Sequence, residues 1–505
     1  MRKYQLIIFV ALFAMVNLLY VPCNAELTYE LFKKPLTVMG YAQQSVGYSI
    51  DSGDHYDTKQ DFQSFLFQGL LETKYEPSMN FRIFASGKFN ADWAYPIFDS
   101  DDEWQKKDFD DGRDDLYILD EAQDILNEAH ITWTPDNFYF RLGKQIVAWG
   151  QTDGFKLMDQ INPVDERRGL GDVQFESSVI PLWLVNAEYN TFVGSDWLQE
   201  LGFQIVYNPN LEFRGNERIE PGNEKFGIWG ADLRADLGGP YPFDYAHIGS
   251  WNDNDTTPDG TFEAGGMEVG GKIRAVIHDA LVTLNGFYGR DNDIVRKSVG
   301  PPTTIISDFD NRMIFNFPTE AYYPILRFVG FTFTRDFPSL SSSTLGGVAP
   351  TWRAEAMYVK DFTTESELET FEESDEIRWM LGFDWKIKIN FLNPKAYFFI
   401  SPQFSHRHIV DYANSVPGVD YSLRQFNGKI KQDNFTGSIL LKTTYFHSKL
   451  EPLFFWMQDF SGKANLIKAQ LSWEQNHHWK YTLGALFLDG ERENVSFEPL
   501  KNKDQ

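Results

Sequence analysis

Residues 81–95 read Phe81, Arg82, Ile83, Phe84, Ala85, Ser86, Gly87, Lys88, Phe89, Asn90, Ala91, Asp92, Trp93, Ala94 and Tyr95. The odd positions are apolar or aromatic throughout, and through Asp92 the even ones are polar or charged except Phe84. In an extended chain successive side chains point to opposite faces, so this stretch has one oily and one wet side; a helix would scatter both sets around its axis. The same period returns at Ile377, Trp379, Leu381, Phe383, Trp385, Ile387 and Ile389, set against Arg378, Met380, Gly382, Asp384, Lys386 and Lys388. Weaker copies begin at Phe65, Phe138, Leu201, Met267, Trp352 and Phe435.

Strands of about nine to eleven residues with an outer apolar band match a wall between lipid and water, whereas the strands of soluble sandwiches usually run about five or six. Trp93 with Tyr95, Trp352 with Tyr358, and Trp479 with Tyr481 fall at strand ends, where interfacial rings belong. Connections alternate long and short, as external loops and periplasmic turns do; 461–464 is short where a long one is expected. The expected fold is all-β, a transmembrane antiparallel up-and-down β-barrel of 16 to 18 strands with long extracellular loops and short periplasmic turns, spanning 26–505. The pattern yields about 17 strands, the last at 479–488, and single-chain bacterial barrels use even numbers. The barrel is therefore expected to lack its closing C-terminal strand, or to close with residues 36–48 as an odd one.

Residues 1–25 have the order of a secretory signal peptide, with Arg2 and Lys3, an apolar run and small residues before Ala25. Cleavage is expected after Ala25, which removes Cys23, the chain's single cysteine, and with it any disulfide or cysteine metal cluster. Downstream no run of about 18 apolar residues could cross a bilayer as a helix. The charge of −26 over 505 residues excludes nucleic acid as a partner, since a polyanion needs a basic footprint. Aromatics reach 16% while the mean hydropathy is only −0.38, which fits rings used on one strand face and not apolar helices.

The most distinctive stretch is Arg141, Leu142, Gly143, Lys144, Gln145, Ile146, Val147, Ala148, Trp149, Gly150, followed by Ile161, Asn162, Pro163, Val164 and Asp165. Over 141–168 it resembles the outer-membrane barrel family catalogued as domain of unknown function 1302, in which an Arg, Gly, basic, Gln strand runs into Trp-Gly and then an Asn-Pro-x-Asp turn. In that family an acid usually follows Trp-Gly; here Gln151 does, which leaves no local carboxylate for a role at that place. The resemblance implies an outer-membrane barrel of undetermined substrate, serving an envelope export or lipid-trafficking system. Outer-membrane lipid and lipopolysaccharide, an unknown small solute and an envelope transporter are the partners expected, and no cofactor.

On the strand pattern Arg141, Gly143 and Gln145 face the lumen. Residues 150–164 are expected to fold inward as a constriction or a packed loop, held by Asp165 against Arg141, Arg167 or Arg168 and by donors from Arg141 and Gln145, with Trp149, Gly150, Asn162 and Pro163 shaping the turn. Arg82, Lys88, Lys272, Arg274, Arg378, Lys386 and Lys388 point into the lumen as well, which favours a porin-like or export channel for small anionic or amphipathic molecules. A non-conducting sheath and an outer-membrane lipid enzyme are the alternatives. Asp110, Asp111, Asp114, Asp253 and Asp255 offer oxygen ligands for calcium, although Pro258 occupies the sixth position where an EF-hand loop needs Gly. Residues 266–272 imitate a phosphate loop but place Ile273 where Ser or Thr is required, and there is no Gly-x-Ser-x-Gly or His-Glu-x-x-His motif.

Overall fold

The computed structural model describes residues 24–50, 62–94, 122–151, 157–167, 178–211, 213–218, 234–236, 245–257, 266–306, 313–366, 370–412, 422–423, 426–429, 431–491 and 504. Eighteen strands form one sheet, from Asn24–Leu31 to Trp479–Asp489. Each barrel strand lies antiparallel beside the next one in the wall, the up-and-down arrangement of an outer-membrane barrel. Lipid offers no partner for a free peptide group, so only such a continuous ladder lets strands cross a bilayer.

The period of two survives folding. Ile83, Phe89, Leu142, Phe203, Ile273, Phe331, Trp352, Ile377 and Leu381 lie exposed on the outer face. On the inner face Gln68, Ser86, Asn90, Asn186, Gln204, Ser401, Gln403 and Ser438 are buried. Neighbouring outer rings touch across the strands, as Trp133 with Phe140 and Trp352 with Phe383 do, at centroid distances of 5.7 and 5.4 Å.

The strand that makes the number even is Asn24–Leu31, at the start of the wall. It pairs with Lys34–Tyr48 through a two-residue turn in which Phe32 and Lys33 have φ of 50° and 62°. Such turns normally carry Asn or Gly, so Phe-Lys gave no turn signal and the count stopped at 17. The cut expected after Ala25 falls inside this strand. Asp504 sits near the other end of the wall. Its carboxylate accepts from the Leu488 N–H at 2.8 Å and its carbonyl from the Ile50 N–H at 3.0 Å, linking the outer ends of the last and second strands.

Two connections read as bare loops contain a second sheet. Tyr245–Asp255 runs parallel to Met313–Tyr322, and Arg234–Asp236, Val295–Ser298 and Thr303–Ile306 pair alongside. Asp253 in this sheet is held by the Arg296 guanidinium at 2.9 Å and by the Thr319 hydroxyl at 2.6 Å. Its oxygens are thus engaged by protein donors, and Asp255 accepts from the Thr257 N–H. Asp110, Asp111 and Asp114 lie outside the described residues.

Leu381 is outward-facing near the middle of Thr370–Ile387. Leu381→Lys is expected to lower stability by about 2–4 kcal/mol in urea unfolding from lipid vesicles, and Gln470→Lys on the lumen face by under about 1 kcal/mol. Equal costs would mean that the faces are assigned wrongly.

Candidate functional site

The inward segment begins at the end of Phe138–Gln145. Gly143, at φ 128°, lies so close to the adjoining strand that a Cβ would stand 2.8 Å from His130 Cα. No larger residue fits there. Beyond Gln145 the chain leaves the wall and enters the lumen, burying Val147, Trp149, Met158 and Ile161. These pack against Leu182, Leu184, Val206, Phe287, Leu326, Phe328, Met357 and Val359, inner-face residues of five wall strands. On this side of the lumen they form an apolar core, beside buried polar inner-face groups such as Gln204, Asn285 and Glu355.

Wall and segment are shaped to each other. A Cβ on Gly270 would come within 2.5 Å of the Trp149 ring, and one on Gly330 within 2.6 Å of Met158 Sδ. The two glycines form recesses that admit these side chains. The Trp149 indole N–H donates to Gln204 Oε1 at 3.0 Å, and its ring meets Phe328 edge to face at 6.5 Å. Burial of so large a side chain with its one polar atom satisfied is worth several kcal/mol (about 3–5 on truncation).

Polar contacts fix the backbone of the segment. Asn162 is the knot: its Oδ1 accepts from the Val147 N–H at 2.8 Å, and its Nδ2 donates to the carbonyls of Gln145 at 3.2 Å and Ile180 at 2.9 Å. The Pro163 carbonyl accepts from the Ile180 N–H. Asp159 accepts from the Trp149 and Gly150 N–H groups at 2.6 and 2.7 Å, so close that a Cβ on Gly150 would strike the carboxylate. Glu355, from the wall, accepts from the Gln151 N–H at 2.5 Å, and Arg353 donates to the Gln151 carbonyl. The acid missing after Trp-Gly is thus replaced by two others that sequence spacing could not reveal.

Asp165 forms the expected latch with Arg167, in two contacts of 2.9 and 3.0 Å. Arg141 does not join it. It donates to the Thr132 hydroxyl at 3.3 Å and lies over the Tyr139 ring, while Gln145 donates to the Leu184 carbonyl at 2.9 Å. Arg141 and Gln145 therefore brace the wall and are not the donors of the latch. Arg168 lies outside the described residues. The latch widens instead toward other connections: Arg167 pairs with Glu217, Arg214 with Glu217 and with Asp124 at 2.7 Å, and Arg218 with Glu166 at 2.6 Å and Asp293 at 2.8 Å. Asn216 adds an amide bridge, accepting from the Val164 N–H and donating to Asp293. Burial works against the charge on Arg167 and Arg214, yet the carboxylates beside each hold its pKa above the ordinary arginine value.

Three of the remaining lining cations stand beside acids. Arg82 lies 3.0 Å from Glu76, Arg274 lies 3.5 Å from Glu200, and Arg378 lies 2.6 Å from Glu376. Lys88 borders a small cleft with Lys144, Asp124, Asp165 and Arg214. Lys272 is set between Gln204 and Asn285 by register, Lys386 opposite Phe399, and Lys388 over the Tyr397 ring. The inner face is mixed in charge, because acids that fell outside the clearest alternating runs, such as Glu355 and Glu376, share it.

Comparison with solved structures gives distant likeness at low identity. OpdK of Pseudomonas aeruginosa with vanillate aligns at 6% identity and TM-score 0.45, covering 92% of this chain and 95% of that one. Acinetobacter baumannii OccAB4 aligns at 10% and 0.44, covering 90% and 92%, and the channel DcaP of the same organism at 9% and 0.36, covering 90% and 97%. No curated protein matches the chain. Residues 37–216, which hold the Arg141-to-Gly150 strand end, the inward segment and the Asn162-to-Asp165 turn, match the model of the family described as protein of unknown function (DUF1302), and this is the outer-membrane barrel family that the chain resembles.

Proposed function

We propose that the protein is an outer-membrane channel for small polar or amphipathic solutes, with passage confined to the part of the lumen that the inward segment leaves free. The observation that carries this reading is the seating of Trp149 and Met158 against Gly270 and Gly330, because it anchors the segment to one side of the wall. Across the lumen the strands Phe398–Ile409, Asp433–Lys442, Ala464–Asn476 and Phe62–Ser78 present Gln403, Ser438, Ser472, Ser64 and Gln68. Short uncharged hydrogen-bonding side chains suit a hydrated path that holds solutes weakly enough to release them. The pairing of Arg82, Arg274 and Arg378 with acids weakens the ground for a strong anion preference. A sheath that docks another envelope protein is the second reading, favoured by the dry core around Trp149.

Single-channel recording in planar bilayers separates the two. Wild type is expected to conduct, with a reversal potential near zero in a salt gradient. Gly330→Leu, which fills the Met158 recess and leaves the segment's own sequence unchanged, is expected to raise the conductance or its open-state noise severalfold. Silence from wild type and from a chain lacking residues 150–164 alike would reject the channel and support the sheath.

Trp149→Ala tests the anchor by a different readout. It is expected to cost about 3–5 kcal/mol in unfolding free energy. The barrel should keep its unheated gel mobility, because the wall ladder is untouched. A cost below about 1 kcal/mol would show that the ring does not hold the segment.

A further inference from the structure

The strand Phe398–Ile409 turns His406 and His408 to the same face, two residues apart. Next to it, Asp433–Lys442 places Asp433 directly opposite His408 in the register. His406 Nε2 and His408 Nδ1 each stand 2.8 Å from the same oxygen, Asp433 Oδ1, and all three atoms lie within 4.8 Å of one another. This face is the outer one, shared with Phe404, Trp379 and Phe435, and the cluster sits at the outward end of both strands. Neither imidazole has been given any part in the channel.

The His406 ring is held in place by packing. It stacks on Phe435 at 4.3 Å with 7° between planes and meets Trp379 edge to face at 5.6 Å. His408 and Asp433 are more open, with 34% and 46% of their side chains exposed against 15% for His406. A fixed imidazole, a second imidazole and a carboxylate converge on one point with solvent on the remaining side. Three protein ligands and an open position are the donor set of an exchangeable transition-metal site, and two nitrogens select zinc, copper or nickel over calcium or magnesium.

We propose that His406, His408 and Asp433 form a divalent transition-metal site at the outer rim of the barrel, with His406 Nε2, His408 Nδ1 and a carboxylate oxygen as ligands and water completing the shell. A neutral imidazole that coordinates through one nitrogen carries its proton on the other, so no net proton need leave. The metal takes the place of the two N–H···O contacts. It ties together the outer ends of two paired wall strands at the point where the long connection 410–432 leaves them, and so clamps the root of that connection without entering the lumen.

Zinc chloride titrated calorimetrically into untagged, detergent-solubilised protein tests the site. The expected result is one equivalent per chain, with cobalt giving the strong visible absorption of a four-coordinate complex. His408→Gln and Asp433→Asn should each weaken binding at least about tenfold. His408→Gln is the decisive variant, because that ring carries less packing than His406 and its loss leaves the fold intact by gel mobility. The double variant His477→Gln/His478→Gln, in an exposed turn, should bind as wild type does. Absence of a stoichiometric site, unchanged affinity in His408→Gln, or loss of binding in the His477/His478 variant would each overturn the proposal.

Discussion

Everything in this molecule depends on the requirement that no peptide group face hydrocarbon unpaired. Each unsatisfied N–H or C=O in a bilayer costs several kcal/mol, and a continuous antiparallel ladder removes that cost for the whole wall. Once the strands are committed to pairing edge to edge, side chains have only two destinations, and the alternation at Phe81–Asp92 and Thr370–Ile387 follows. The outer destination demands only hydrophobicity. The inner one is free to vary, and there the chain acquires its individual character.

That freedom is used in two ways around the circumference. On one side the inner face is apolar, and Leu326, Phe328, Met357 and Val359 receive Trp149, Met158 and Ile161 in a packed core. On the other side Gln68, Ser401, Gln403, Ser438 and Ser472 lie on the inner face beside apolar Leu66 and Leu466. The inward segment thus makes the lumen asymmetric: it converts one arc of the wall from a lining into a foundation. Asn162, Asp159, Glu355 and Arg353 meet the backbone of Val147, Trp149 and Gln151, so that these peptide groups find partners inside the lumen.

Legibility in the sequence followed the same division. Where the inner face is wet, the period of two is plain, as at Phe81–Asp92. Where the inner face is dry, as at Ile325–Asp336, both faces are apolar and the alternation fades, although the strand is equally regular. The pairing of Asp165 with Arg167 could be read because the partners are two residues apart, whereas Asp159, Gly270, Gly330 and Glu355 act across distances that a linear pattern does not encode. The first strand hid behind Phe32 and Lys33, whose positive φ values are imposed by the hairpin and not announced by residue type. The second sheet hid in connections whose strands find their partners only in another connection.

The contact between Gln151 and Glu355 spans 204 positions of the chain, and it bears on how the molecule comes to be built. The segment can take its seat against Glu355 only once the strand Thr351–Ser366 is in place. Contacts so far apart in sequence are slow to form. Seating of the segment against that strand is therefore a late step of folding compared with the closure of neighbouring hairpins.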